Sequence, residues 1–252
     1  KKNSGSVISA TIDKFVYVTV KEHGKLFNEK YRLNYFRTEN KKNLTKIQND
    51  IIRETLKKIK INKPIYISSI SDIPSGSGLG SSSAFTVGLI KALSALNNKQ
   101  ISKKELALGA LNVEQKLIKE NVGSQDQVAA AFGGFNKINF EKNGEIYVEP
   151  IIINPNNLKK LEESILLFFT GFTRIGPNIQ KDVKSRINKN VSSLKEMQDI
   201  SDEALKIIYN NKFSIKNFGS LLNTQWQLKK SLSNKISNYS IDRLYKKAIN
   251  LG

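Results

Sequence analysis

The run Pro74-Ser75-Gly76-Ser77-Gly78-Leu79-Gly80-Ser81-Ser82-Ser83-Ala84 constrains this chain more than any other stretch of its sequence. It follows an apolar, β-branched segment, PIYISSI, and leads directly into a segment where Phe85, Leu89, Leu93 and Leu96 recur at helical spacing. A strand, a glycine-rich turn and a helix are therefore predicted in immediate succession. Glycines let the backbone approach a phosphate closely, and the free N–H groups and dipole of the following helix N-terminus attract negative charge. Serine hydroxyls add phosphate or Mg²⁺ contacts. The spacing is neither the G-x-x-x-x-G-K-[ST] phosphate loop nor the dinucleotide G-x-G-x-x-G turn, so both of those classes are disfavoured. A Gly/Ser linker of the same composition would separate domains. This run instead joins a buried strand to an amphipathic helix, with Leu79 as an apolar anchor in its middle.

The surrounding pattern is that of a mixed α/β protein. Ser6–Val20 is rich in β-branched residues, His23-Gly24-Lys25 interrupts it, and Tyr31–Phe36 alternates again, which predicts a β-hairpin. Ile47, Ile51, Ile52, Leu56 and Ile59 mark a helix that ends before Pro64. After the loop helix, Leu106, Ala110, Val113 and Leu117 mark one face of a second helix, which Asn121 and Gly123 stop. Ser124 and Gln127 stand at capping-box spacing at the start of a short alanine-rich helix closed by Gly133-Gly134. Asn143-Gly144 between Phe135–Phe140 and Glu145–Val148 signals a hairpin. The stretch from Pro150 to Pro155 reads as a domain border, giving domains over 1–155 and 156–252. The second domain is expected to open with a strand, ILLFFTG (Ile165–Gly171), followed by three helical patterns near Asn178–Tyr209, Phe218–Leu232 and Ile241–Leu251.

Composition narrows the classes further. The 252 residues contain 39% hydrophobic residues, enough for a buried core, and no cysteine, which excludes disulfides, thiolate zinc sites and a cysteine nucleophile. A cytoplasmic location fits that reading. The net charge of +19 comes from lysines scattered along the chain, and there is neither a basic tract nor an aromatic-basic ladder, so no nucleic-acid partner is expected. A positive field does suit a protein that gathers phosphorylated small molecules. The longest purely apolar run, Ile165–Phe169, is far short of the roughly 20 residues that span a bilayer, and no membrane partner is expected.

The loop resembles the second motif of the GHMP kinases, P-x-x-x-G-L-G-S-S-A, with Ser83 in place of the usual alanine. ISATIDKFVYV, GSQDQVAAAFGG and WQLKKSLSNKIS extend the likeness over nearly the whole chain, most closely to the branch acting on D-glycero-α-D-manno-heptose 7-phosphate. The resemblance implies the GHMP fold: an amino-terminal domain like ribosomal protein S5 domain 2 and a ferredoxin-like carboxy-terminal domain, with ATP and a sugar phosphate meeting between them. It implies ATP and Mg²⁺ as cofactors, phosphorylation of the anomeric C1 hydroxyl, and a homodimer as one compatible assembly. A fucose- or galactose-like acceptor, and a non-catalytic or nucleic-acid-binding protein on the same fold, are the alternatives. The family's first and third motifs have no counterpart here, so truncation at both ends is expected.

Carried over residue by residue, the resemblance puts nucleotide binding on Pro74, Gly76, Ser77, Gly78, Leu79, Gly80, Ser81, Ser82 and Ser83. It puts Mg²⁺ on Ser82 and Glu114, and catalysis on Asp126. Glu114 has Leu117 and Ile118 at i+3 and i+4, so no helical lysine partner neutralises it there. As an ordinary helix residue it would be solvated. Asp126 stands in a helix first turn, where the dipole favours a carboxylate whether or not it meets a hydroxyl. Arg174 in TGFTRIG is a candidate for a substrate phosphate, with Lys14 and Gln125 as further substrate-binding candidates; each would also serve as an ordinary surface residue. Trp226 is expected in the core, and His23 in a turn without a role.

Overall fold

The structure, a computed structural model, describes residues 4–24, 26–173, 176–210 and 212–251. In chain order it contains β1 (Gly5–Ala10), β2 (Val16–Glu22), β3 (Tyr31–Asn34), β4 (Thr38–Lys41), α1 (Asp50–Ile59), β5 (Ile65–Ser71), α2 (Ser81–Leu96), α3 (Lys103–Leu111) and α4 (Gln125–Phe132). There follow β6 (Phe135–Phe140), β7 (Ile146–Pro150), α5 (Pro155–Glu163), α6 (Gly176–Ser185), α7 (Val191–Tyr209), α8 (Ile215–Ser231) and α9 (Tyr239–Asn250). Residues Ala10–Gly134 form one compact unit, and Lys1–Ser9 with Phe135–Gly252 form the other.

In the first unit four strands lie in the order β2-β5-β3-β4. The expected hairpin between β2 and β3 does not form. β5 lies between them, antiparallel to β2 with Val18 opposite Ser69 and parallel to β3 with Leu33 opposite Ile67. Alternation marks a residue run as a strand but says nothing of which strand takes its hydrogen bonds. The single stretch expected over Ser6–Val20 also divides, because β1 belongs to a different sheet.

The core of this unit gathers Leu33, Ile52, Leu56, Ile65, Ile67, Leu89 and Leu93, all essentially without solvent contact. Each such side chain contributes about 1.5–3 kcal/mol by burial. A second cluster, Val87, Ile90, Leu106, Ala110 and Val113, lies on the other side of α2. Apolar residues on both flanks bury α2 between the sheet and α3, which holds the loop at its N-terminus in place. Gly88 allows the closest approach: a β-carbon there would stand 3.0 Å from Val18 Cγ2. The start of α1 is fixed by Asn49, whose side chain accepts from Ile52 N–H, and by buried Glu39, which accepts from the Tyr35 hydroxyl and from the N–H groups of Gln48 and Asn49.

In the second unit the sheet order is β1-β6-β7, with β6 and β7 antiparallel around Asn143-Gly144 as expected, and Gly144 at φ +90°. Ile151, Leu161, Leu205, Ile208 and Phe213 form its core. Two expectations change here. Ile165–Gly171 forms no strand, and the side chains of Ile165 through Phe169 are exposed. A strand needs a neighbour for its backbone groups, and among the described residues this segment joins neither sheet. The first helical pattern divides into α6 and α7, and α5 precedes both. It starts at Asn154-Pro155, an N-cap followed by a proline at the first helical position, in the stretch expected only as a domain border. Trp226 is partly rather than fully buried, with its ring 5.8 Å from that of Tyr245. Among the described residues no helix is long and apolar enough to cross a membrane.

Candidate active site

Gly76, Gly78 and Gly80 have φ of +77°, +86° and +72°. Other residues are strained in that left-handed region, so the alternate glycines allow the loop to curl into a concavity of the kind that turns backbone N–H groups toward an anion. The Ser77 hydroxyl oxygen is shut off from solvent and has no hydrogen-bond partner. Leu79 departs from its expected role, being about half exposed at 48% rather than anchored in the core.

The loop ends at the N-terminus of α2, whose cap residue, Gly80, has no side chain to offer. Side-chain caps close α1, α3, α5, α8 and α9 through Asn49, Ser102, Asn154, Ser214 and Asn238. The cap position of α2 offers no side-chain acceptor to the first-turn N–H groups, and no acidic residue stands in that turn. This is the arrangement that favours a bound anion.

Asp126, exposed in the first turn of α4, packs on the end of the loop. Its Cβ lies 3.3 Å from the position a β-carbon on Gly80 would take. Gly80 is thus required by its backbone angle and by its neighbour. Gln125 is exposed beside Asp126, and Lys14 is exposed in the connection between β1 and β2. Arg174 lies outside the described residues.

Glu114 is buried at 1% exposure, just beneath the loop helix. α3 continues past Leu111 into a π-helical turn, Asn112–Leu117, and this wider turn carries Glu114 inward beside Val113. The same turn puts Leu117 at the surface, although α-helical spacing had placed it on the buried face; Ile118 packs against the core instead. The Ser83 hydroxyl donates to Glu114 Oε2 at 3.1 Å, and Gln127 Nε2 donates to the same oxygen. Glu114 Oε1 is buried without a partner. The hydroxyl against Glu114 is therefore that of Ser83, while Ser82 is exposed in the first turn of α2.

A buried carboxylate oxygen with no donor is costly, and a cation would relieve that cost. The hard oxygen donors of Glu114 and the loop serines suit Mg²⁺. Among the described residues no cluster of three or more acidic or histidine side chains offers another metal site. The surroundings are acidic: Glu120 is pushed above the ordinary carboxylate range, first by burial and then by the charges of Glu114 and Asp50.

Residues 44–134 match the family model described as the GHMP kinases N terminal domain. The whole chain aligns at 34% identity with 77% of the D-glycero-alpha-D-manno-heptose 7-phosphate kinase of Campylobacter jejuni. The chain belongs to the GHMP kinase family. Among solved GHMP kinase structures, one of a D-glycero-D-manno-heptose 1-phosphate kinase from Bacteroides thetaiotaomicron superposes with a TM-score of 0.71 at 25% identity, covering 90% of this chain and 71% of that one. Another, of Methanococcus jannaschii mevalonate kinase, gives a TM-score of 0.65 at 26% identity over 95% of this chain and 75% of that one. The family match spans the glycine loop, Glu114 and Asp126 together.

Gln127 is the residue whose place here sequence reasoning missed. It was read as the second half of a capping box, yet Ser124 makes no capping bond; its hydroxyl accepts from Gln115 Nε2 at 3.1 Å.

Proposed function

We propose that this GHMP kinase phosphorylates the anomeric C1 hydroxyl of D-glycero-α-D-manno-heptose 7-phosphate with ATP. The product is the 1,7-bisphosphate, a precursor of nucleotide-activated heptose for surface polysaccharide. The observation that carries the reading is the seat of Asp126 against Gly80, beside the uncapped N-terminus of α2. It brings a carboxylate to the place where the loop would hold the triphosphate. The substrate rests on the 34% identity to the heptose 7-phosphate kinase.

In this reading the N–H groups of the loop and of the first turn of α2 bind the phosphates, with the Ser77 hydroxyl supplying a further donor. Asp126 accepts the proton of the sugar hydroxyl and aligns its oxygen on the γ-phosphorus. The new O–P bond forms as the bond to the β–γ bridging oxygen breaks, and ADP leaves. Because the transferred phosphoryl group is loosely bonded in the transition state, alignment and charge neutralisation outweigh basicity. Glu114 and Ser82 would hold Mg²⁺, which when bound would neutralise charge on the phosphates. Arg174, Lys14 and Gln125 are proposed to meet the sugar phosphate, and the amino- and carboxy-terminal parts of the chain to serve as nucleotide and second domains.

An ADP-release assay over a panel of sugars with and without a terminal phosphate tests the reading. Turnover of the heptose 7-phosphate, with little on free galactose or fucose, is expected. Equal turnover of an unphosphorylated hexose would transfer the assignment to that sugar, and absence of turnover with every acceptor would refute it.

A further inference from the structure

Glu114 is held in a way that local sequence rules do not account for. Three elements meet at it: α2 through Ser83, the π-helical turn that carries Glu114 itself, and α4 through Gln127. Glu114 and Gln127 are each 1% exposed. Both donors, the Ser83 hydroxyl and the Gln127 amide, go to Oε2, and Oε1 is left buried and unpartnered. Two donors on one oxygen fix the rotamer and the plane of the carboxylate while leaving the other oxygen open.

Gln127 gains little for itself by this arrangement. Its own Oε1 is buried without a partner, and a half-satisfied buried amide is destabilising. A local alternative exists, since Ser124 stands three residues before it at capping-box spacing. The same pattern at Ser102 and Glu105 closes α3 in the usual way, each side chain bonding the other residue's backbone N–H. At α4 that cap is absent and the amide is directed to Glu114 instead. Local preference set aside at a buried carboxylate is characteristic of a functional site. The donor is also neutral. A lysine in its place would orient Glu114 equally well but would cancel the charge that attracts a cation.

We propose that Gln127 is a positioning residue for the divalent cation: it holds Glu114 Oε2 through a neutral donor so that Oε1 is presented to the metal. The inference rests on the reading of Glu114 as the metal-binding carboxylate. Outer partners of metal-binding side chains typically contribute 10- to 100-fold in metal affinity.

The test uses the full chain with ADP and Mn²⁺ as the probe, with bound Mn²⁺ counted by electron paramagnetic resonance. Gln127→Met keeps the length and removes the donor. It is expected to raise the Mn²⁺ dissociation constant about 10-fold or more, and to raise the half-activating Mg²⁺ concentration in parallel, while turnover at saturating Mg²⁺ changes little. A Mn²⁺ dissociation constant within about twofold of the unmodified protein, well short of that 10-fold range, overturns the proposal. Where Gln127→Met does not give a cooperative thermal transition, Gln127→Asn, one methylene short of Glu114, carries the same expectation and the same refutation. Glu114→Gln separates the two levels. Lost Mn²⁺ binding in Glu114→Gln with none lost in Gln127→Met refutes the positioning role alone, whereas unchanged binding in Glu114→Gln refutes the metal reading and the inference with it.

Discussion

Asp126 fills the space where a side chain on Gly80 would begin: its Cβ, Cγ and Oδ2 lie 3.3, 3.5 and 3.7 Å from where a β-carbon on Gly80 would stand. Gly80→Ala therefore meets two obstacles, a left-handed backbone at φ +72° and the aspartate side chain. The first costs about 1–2 kcal/mol. The second pushes Asp126 aside slightly, and displacing a group from a reacting geometry lowers the rate. Thermal denaturation and steady-state kinetics on the same sample are expected to show a loss of stability of about 1–2 kcal/mol together with a loss of kcat/KM. Full kcat/KM in a destabilised protein would show that the contact has no part in turnover.

Asp126→Asn keeps the shape of the side chain and removes its charge. Turnover is expected to fall on the order of 10²-fold or more, with ATP affinity by calorimetry nearly unchanged, because the loop and the α2 N-terminus make the nucleotide contacts. A parallel loss of ATP binding would make Asp126 part of the nucleotide seat.

The pair Tyr35 and Glu39 predicts a loss of stability at both ends of the pH scale. Burial pushes Glu39 up, but the Tyr35 hydroxyl and the N–H groups of Gln48 and Asn49 outweigh it, so its carboxyl lies below the ordinary 4.5. A carboxylate depressed on folding stabilises the protein above its unfolded pKa, and that contribution is lost as pH falls through the folded value. Tyr35 is pushed up to about 12, by burial first and by its bond to Glu39 second. Its contribution is complete below the ordinary value of 10.0 and is lost as pH rises toward 12. Melting temperature followed against pH is expected to drop below about 4.5 and again above about 10. Glu39→Gln should flatten the acid limb, and an unchanged acid limb in that variant would place the dependence elsewhere.

The two serines at capping-box spacing are expected to behave differently. Ser102→Ala removes a cap whose hydroxyl accepts from Glu105 N–H, and should cost about 1 kcal/mol. Ser124→Ala removes no cap and should cost clearly less, as measured by denaturant unfolding. Equal costs would mean that Ser124 caps α4 in solution.

Strand, loop and helix around Pro74–Ala84 were legible in the sequence because each is set by neighbours in the chain: β-branched residues, glycines that reach positive φ, and apolar residues at helical spacing. The Asn143-Gly144 hairpin belongs to the same class. Whatever depended on distant residues was not legible. The insertion of β5 between β2 and β3, the π-helical turn that brings Glu114 inward and leaves Leu117 in solvent, and the choice of Gln127 between Ser124 and Glu114 all required the tertiary structure. In each case the local sequence allows more than one arrangement, and burial beside a partner far along the chain selects one. The sequence alone thus determined that a phosphate-binding loop of the GHMP kind stands between a strand and a buried helix. Only the tertiary structure decided that Asp126 rests on Gly80, and that Glu114 keeps one oxygen open, because both follow from three helices converging on a single point.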